Sequence, residues 1–183
     1  FISFQMTVWP HPIKAIIFDC DGTILDTLRI YFQANESVLG FPYPPELAKQ
    51  TNGRSEKEVC TIIVNHFQLQ MTPQEFLEKR SVTLKNTLPN CQVIPHVDDI
   101  IKKLKGMGFK MAVATSCSRS FHELKTSKHR ELFSLFDLEV CGDEVKQAKP
   151  CPDVFQLAAS KLGDLKPENV LVFEDAAVGV KAA

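Results

Sequence analysis

The chain has 183 residues, of which 44% are hydrophobic and 23% are charged, and its formal net charge is −1. This composition is typical of a soluble globular protein, and the dispersed positive charges argue against a nucleic-acid surface. No apolar stretch approaches the ~20 residues that a membrane span needs. Since the six cysteines form no C-x-x-C pair, we expect reduced thiols rather than a zinc site. We therefore predict a cytoplasmic monomer with neither a nucleic-acid nor a membrane partner.

The first predicted element is a buried strand over residues 15–18, because four consecutive apolar residues precede a turn at Gly22. The strand runs directly into the sequence Asp19-Cys20-Asp21-Gly22-Thr23. Two carboxylates two positions apart therefore stand at the carboxyl end of a strand, where open α/β sheets bind their ligands. One such carboxylate can act as a nucleophile, the other can transfer a proton, and together they can hold a hard cation.

The next part of the chain is predicted to be helical. Apolar residues recur at helical spacing over residues 27–39 and 55–67, and a further helix begins after Thr72. Ser55 and Glu58 have the spacing of a capping box, and Thr72 is followed by a proline, which is favoured at the first helical position. Because no stretch shows strand-like alternation, we predict that residues 29–94 are all helical.

From residue 95 onward, predicted helices alternate with predicted strands. In chain order these are a helix over 97–107, a strand over 109–115, a polar helix from about 120, a strand over 138–141, a helix over 153–162 and a strand over 170–173. This alternation predicts a doubly wound, Rossmann-like α/β fold with a parallel sheet. We interpret the five histidines as surface or helix-end residues.

Four short motifs follow one another in an order that resembles the haloacid dehalogenase superfamily. They are the Asp-x-Asp-Gly-Thr sequence that begins at Asp19, Thr115-Ser116 at the end of a strand, Lys149-Pro150 before a helix, and Glu174-Asp175 with Gly179 following. The resemblance covers residues 13–183. It implies a core of residues 12–28 and 95–183, an inserted all-helical cap of residues 29–94, and an N-terminal extension of residues 1–11. Since members of this superfamily carry a further strand and helix after the fourth motif, we expect the C-terminal end of the core to be missing here.

The resemblance also implies a phosphatase chemistry for these motifs. Asp19 would attack phosphorus and form an aspartyl-phosphate, while Asp21 would protonate the leaving group and then activate water. Lys149 would neutralise charge, and Thr115 and Ser116 would bind the phosphoryl oxygens. A Mg²⁺ ion would be held by the side chains of Asp19 and Asp175 and by the backbone carbonyl of Asp21, and Glu174 would bind it directly or hold a water of the metal.

The substrate is expected to be a small phosphorylated metabolite. A narrower resemblance, over residues 114–136 and 173–176, is to the pseudouridine 5′-phosphatase branch of the superfamily, which favours a 5′-nucleotide such as pseudouridine 5′-monophosphate. In the cap, Arg54 and Ser55 are candidates for substrate specificity, although Arg54 is equally compatible with a solvated helix start. The alternatives left open are a sugar- or polyol-phosphate phosphatase, a phosphosugar mutase, and a non-enzymatic binding or phospho-Asp signalling domain.

Overall fold

The computed structural model describes residues 11–163 and 165–183, and all elements named below lie within these ranges. The described strands are β1 (Ala15–Phe18), β2 (Leu25–Asp26), β3 (Gln92–Val93), β4 (Lys110–Ala114), β5 (Leu138–Val140) and β6 (Val170–Phe173). The described α-helices are α1 (Leu28–Leu39), α2 (Pro45–Thr51), α3 (Glu56–His66), α4 (Pro73–Thr87), α5 (Val97–Gly106), α6 (Arg119–Thr126), α7 (Arg130–Phe133), α8 (Asp153–Lys161) and α9 (Ala177–Ala182). None of these helices is long and apolar enough to cross a membrane. Of the predicted N-terminal extension, residues 1–10 lie outside the described ranges.

Four of the strands form one parallel sheet, in the order β5-β4-β1-β6. Phe18, at the end of β1, is level with Val113 of β4 on one side and with Phe173 of β6 on the other. Because these strands are parallel and end at the same level, the residues that follow them meet at one edge of the sheet. The predicted doubly wound, parallel α/β fold is confirmed.

At β1, both faces of the sheet are covered by helices, which is why this strand is apolar throughout instead of alternating. On one face, Ile16 and Phe18 pack in a cluster with residues of α5 and α7. On the other face, Ala15 and Ile17 pack with residues of α8. No residue of β1 is more than 2% exposed. Since full burial of a large apolar side chain stabilises a protein by about 1.5–3 kcal/mol, β1 is firmly fixed, and so is the start of the motif that follows it.

Helices α1 to α4 bury a hydrophobic cluster of their own, apart from the sheet. Its buried members are Tyr43, Leu47, Ala48, Val59, Cys60, Ile63, Val64 and Phe76. Ser55 and Thr72 are N-caps, and each forms a capping box with the glutamate three residues later. A separate core would allow this segment to act as a cap on the sheet, and we propose the division of the chain into core and cap on this basis.

The structure differs from the predicted all-helical segment at its end. Within the segment, Pro45 begins helix α2, since proline is compatible with the first turn of a helix. Strand β3 pairs antiparallel with β2, so the last residues of segment 29–94 form a short ladder where the sequence predicted helix. Two residues are too few for an alternating pattern to be visible in a sequence. The ladder joins the two chain segments that enter and leave the helices.

His122 corrects one further prediction, because it is neither exposed nor at a helix end. It lies on α6 with 0% exposure, and its Nε2 is 2.9 Å from Oε2 of Glu139. The neighbouring Phe121 and the more distant Lys125 of the same helix are also buried. Helix α6, predicted to be polar, therefore has a buried face that carries two titratable side chains.

Candidate active site

The carboxyl edge of the sheet brings together residues that are far apart in the sequence. Asp19 follows β1, Thr115 follows β4, and Glu174 follows β6. The backbone N–H of Asp19 donates to the carbonyl of Phe173 at 2.9 Å, which extends the pairing of β1 and β6 by one residue. The parallel register thus sets the first and fourth motifs side by side, and it fixes the backbone from which their carboxylates project.

Lys149 lies at the centre of this group. Its ammonium donates to Oδ1 of Asp19 at 2.6 Å, to Oε2 of Glu174 at 2.7 Å and to the carbonyl of Ala114 at 3.3 Å. The side chain is 1% exposed, and its Nζ lies 4.7 Å from the centre of the Phe155 ring. Burial alone would lower the pKa of Lys149, but the two carboxylates outweigh it and raise the pKa above its ordinary value, so this lysine is a fixed cation.

Three carboxylates lie close together at this edge of the sheet. Asp19, Glu174 and Asp175 each offer one oxygen, and these oxygens all lie within 4.8 Å of one another. Burial raises the pKa of Asp19 to about 6; Lys149 opposes this shift, while Glu174 and Asp21 add to it. Burial and the charge of Asp19 also raise the pKa of Asp175. One lysine therefore does not neutralise the cluster, and the surplus negative charge favours a second cation.

The donor chemistry of this cluster fits Mg²⁺, which prefers carboxylate oxygens and keeps several waters. Glycines keep the space around the carboxylates open. Gly22 has φ +83°, and a Cβ on it would collide with the carboxylate of Asp175. A Cβ on Gly179 would collide with the carboxylate of Glu174. The residues predicted as side-chain ligands are thus gathered in one place, and their role as ligands remains a proposal.

Asp21 lies in a second, separate charge pair. Oδ1 accepts from the Thr27 hydroxyl at 2.6 Å, and Oδ2 pairs with the ammonium of Lys125, which is 0% exposed. Burial would raise the pKa of Asp21, but Lys125 and Thr27 outweigh it and lower the pKa below its ordinary value. Lys125 was not among the site residues predicted from the sequence. The pattern that could have identified it is helical spacing, because it lies four residues after Phe121, on the buried side of α6.

The two predicted phosphate-binding residues differ in their contacts. Thr115 is buried, and its hydroxyl lies 3.4 Å from Oδ2 of Asp21, to which it donates. Its hydroxyl also accepts from the N–H of Cys117 at 3.3 Å. The hydroxyl of Ser116 instead donates to the carbonyl of Gly53 at 2.7 Å. Ser116 therefore joins the second motif to the loop between α2 and α3, whereas Thr115 lies within the aspartate cluster.

Of the two predicted specificity residues, the structure brings only Arg54 to the cleft that contains Asp19 and Asp21. Its Nε donates to the carbonyl of Gln50 at 2.8 Å, and its Nη1 lies 3.4 Å from Glu58. Ser55 is used as the N-cap of α3, with its hydroxyl 2.6 Å from the carboxylate of Glu58, and it is not among the residues that line the cleft. A role for Ser55 in substrate contact stays a prediction.

Comparison with known proteins assigns the family. A family model for haloacid dehalogenase-like hydrolases matches residues 16–183. The chain belongs to this family. A protein of Drosophila melanogaster named probable pseudouridine-5′-phosphatase is 38% identical over 174 residues, which are 91% of this chain and 75% of that protein. The (DL)-glycerol-3-phosphatase 2 of Arabidopsis thaliana is 36% identical and is matched over 93% of this chain and 75% of its own length.

Solved structures support the same assignment. CbbY from Rhodobacter sphaeroides, in complex with phosphate, has a TM-score of 0.74 and 26% identity, and the match covers 93% of this chain and 81% of CbbY. These relatives are named phosphatases. The predicted enzyme class of this chain, phosphoric monoester hydrolase, is therefore confirmed.

The buried pair of Lys125 and Asp21 yields a prediction about stability. Lys125→Met should lower the free energy of unfolding by about 3–5 kcal/mol, because it leaves a carboxylate largely buried without its counter-charge. The double variant Lys125→Met/Asp21→Asn should be more stable than Lys125→Met alone, since the second change removes that charge. Urea unfolding measures both, with Lys128→Met as the control for an exposed lysine of the same chain segment. Equal losses at Lys125 and Lys128, or no recovery in the double variant, would contradict the coupling.

Proposed function

We propose that this chain is a Mg²⁺-dependent phosphatase for a small phosphorylated metabolite, a 5′-nucleotide such as pseudouridine 5′-monophosphate, in the cytoplasm. The observation that carries this proposal is the position of Lys149, buried between Asp19 and Glu174. A phosphate monoester dianion repels nucleophiles, so its site must supply positive charge beside a carboxylate nucleophile. Lys149 is buried and held by two carboxylates, one of which is Asp19 of the cleft that also contains Asp21, and this supplies that arrangement.

The first step proposed is transfer of the phosphoryl group to Asp19. A carboxylate oxygen of Asp19 attacks phosphorus, the bond from phosphorus to the ester oxygen breaks, and the leaving oxygen takes a proton from Asp21. Lys149 and the hydroxyl of Thr115 would face the phosphoryl oxygens. The pKa of Asp19, raised to about 6, still leaves this carboxyl group mostly ionised at neutral pH, as a nucleophile must be.

The second step proposed is hydrolysis of the aspartyl-phosphate. Water attacks phosphorus, its proton passes to Asp21, and inorganic phosphate leaves while the carboxylate of Asp19 is restored. An ionised Asp21 suits this step, because only the ionised form can accept the proton. The lowered pKa of Asp21 thus favours its role as a base, and its role as an acid requires that Asp21 receive a proton while the Michaelis complex forms.

Mg²⁺ would be held by Asp19, Glu174 and Asp175, with the carbonyl of Asp21 as a further ligand. When bound, it supplies electrostatic stabilisation of the negative charge on the phosphoryl oxygens. The surplus of carboxylates over cations at this edge of the sheet, where one lysine lies beside the oxygens of Asp19, Glu174 and Asp175, supports this proposal.

The choice of a nucleotide rests on relatives. Two relatives are named probable pseudouridine-5′-phosphatases. Relatives named glycerol-3-phosphatase and fructose-1-phosphate phosphatase favour a polyol or sugar phosphate as the second candidate.

The roles of the two aspartates can be separated by substitution. Asp19→Asn should lower kcat by at least about 10³-fold, because the phosphoenzyme cannot form. Asp21→Asn should also lower kcat, but it should let the phosphoenzyme accumulate when the leaving group needs no protonation, as with p-nitrophenyl phosphate. Acid-quenched labelling with ³²P-phosphate from acetyl phosphate measures this species. Asp26→Asn, at an exposed aspartate of β2, is the control, and normal turnover by Asp19→Asn would refute the assignment.

Removal of the metal gives a second prediction. A chelator should abolish turnover, and Mg²⁺ should restore it to the starting rate. Ca²⁺ should inhibit, because its larger and looser coordination sphere misaligns the in-line attack. Phosphate release measured during titration with each ion provides the test, and full activity in excess chelator would exclude the metal.

The substrate proposal is tested by comparing kcat/KM across phosphate esters. We expect pseudouridine 5′-monophosphate to exceed uridine 5′-monophosphate, glycerol 3-phosphate and hexose 6-phosphates, by about tenfold or more for the substrates that lack a base. Release of inorganic phosphate from each ester, at concentrations well below KM, gives the ratio. A higher kcat/KM for glycerol 3-phosphate or a hexose phosphate would favour a polyol or sugar phosphate as the substrate in place of the nucleotide. The proposed phosphatase chemistry would be unaffected. Transfer of phosphate to a second sugar without release would instead favour a mutase.

A further inference from the structure

The cleft above the aspartates has polar side chains that lack partners. Four buried side-chain atoms in the described part of the chain have no hydrogen-bond partner, and three of them belong to residues that line this cleft. They are Nε of Arg80, the hydroxyl oxygen of Tyr31 and Oδ1 of Asn35. Leaving a buried donor or acceptor unpaired costs about 1–3 kcal/mol, and native proteins contain few such groups. Three such unpaired groups at one cleft indicate a ligand that forms the missing hydrogen bonds.

Arg80 is the most unusual of the three. It is 2% exposed, yet within the described ranges no carboxylate lies within the 4.0 Å of an ion pair with its guanidinium. Its one hydrogen bond there is a weak contact from Nη1 to Sγ of Cys60, at 3.8 Å. Its Cζ lies 5.7 Å from the centre of the Tyr31 ring, so the guanidinium lies beside this aromatic side chain. A buried guanidinium is stable only when its donors are used, and here most are left for a ligand.

The unsatisfied groups differ in kind, and this difference selects a ligand. The guanidinium of Arg80 offers donors, the hydroxyl of Tyr31 can donate, and Oδ1 of Asn35 can only accept. A second phosphate or a carboxylate would leave the acceptor of Asn35 unused. Such an anion would also meet the carboxylate of Glu56, which lines the same cleft. A ligand group that has two acceptors, with one donor between them, can pair with all three side chains.

We infer that Arg80, Tyr31 and Asn35 form a subsite for the imide edge of a pyrimidine base, whose two carbonyl oxygens flank one N–H. The inference rests on the proposed phosphatase function and names the part of the substrate that the cap would recognise. Donors of Arg80 and Tyr31 bind the carbonyl oxygens, and Oδ1 of Asn35 accepts from the imide N–H. The phosphate would lie at the other end of the same cleft, beside Asp19.

Free nucleosides test this subsite without relying on their turnover. Uridine and pseudouridine should inhibit hydrolysis of ribose 5-phosphate competitively. 3-Methyluridine, which lacks the imide N–H, should inhibit at least about tenfold more weakly, as expected for the loss of a buried hydrogen bond. Arg80→Met and Asn35→Leu should each raise the Ki of uridine by about tenfold or more and leave kcat/KM for ribose 5-phosphate within about twofold. Lys79→Met, an exposed neighbour on α4, is the matched control and should change neither value.

Each opposite result has a distinct meaning. If ribose 5-phosphate is hydrolysed but uridine and 3-methyluridine inhibit equally or not at all, the imide subsite is wrong and the phosphatase proposal stands. If Arg80→Met and Asn35→Leu both lower kcat/KM for ribose 5-phosphate by the same factor by which they raise the Ki of uridine, these side chains only support the fold. A larger loss for fructose 1,6-bisphosphate than for uridine would assign Arg80 to a second anion instead. If no phosphate ester is hydrolysed, the proposed function fails, and uridine binding by calorimetry still decides the subsite.

Discussion

The burial of Lys149 between Asp19 and Glu174 is the interaction on which the site depends. Removal of one partner from a buried ion pair costs about 3–5 kcal/mol, and here one ammonium serves two carboxylates that end neighbouring strands. Without it, burial would raise the pKa of Asp19 further, because Lys149 is the charge that opposes this shift. The parallel sheet supplies the rigidity, because the apolar strands β1 and β6 are paired up to the residue before each carboxylate. The two carboxylates that Lys149 binds therefore project from the ends of two strands that are paired with each other.

Much of this arrangement could be predicted from the sequence, and the reason is the register of parallel strands. Apolar runs such as residues 15–18 and 170–173 are visible as strands, and polar residues directly after them must converge at one edge. Contacts that depend on tertiary packing were not visible. Lys125 lies in a helix whose sequence is mostly polar, and only its packing reveals the charge pair with Asp21. Arg80 is similarly hidden, because its helix α4 gives no indication of which side faces the cleft.

The two aspartates of the first motif lie in different electrostatic environments although one residue separates them. Asp19 shares its cation with other carboxylates, and its pKa is raised to about 6. Asp21 has Lys125 as its own cation and a hydroxyl donor in Thr27, and its pKa is lowered. Neighbouring carboxyl groups whose pKa values are driven apart are a common basis for dividing roles in catalysis. Both aspartates nevertheless line the same cleft, so one site contains two carboxyl groups with different pKa values.

The helical segment and the sheet are joined by hydrogen bonds of Ser116, in the second motif, and of Ser118, which follows it. The hydroxyl of Ser116 donates to the carbonyl of Gly53, and the N–H and hydroxyl of Ser118 both lie within 3.4 Å of the carboxylate of Glu56. The loop that holds the second motif is therefore hydrogen-bonded to the start of α3, whose Glu56 lines the substrate cleft. Any movement of α3 toward or away from a bound substrate must alter these contacts, which lie next to Thr115. The loop that carries Thr115 and Ser116 is in this way connected, through two serines, to helix α3 and to the loop before it.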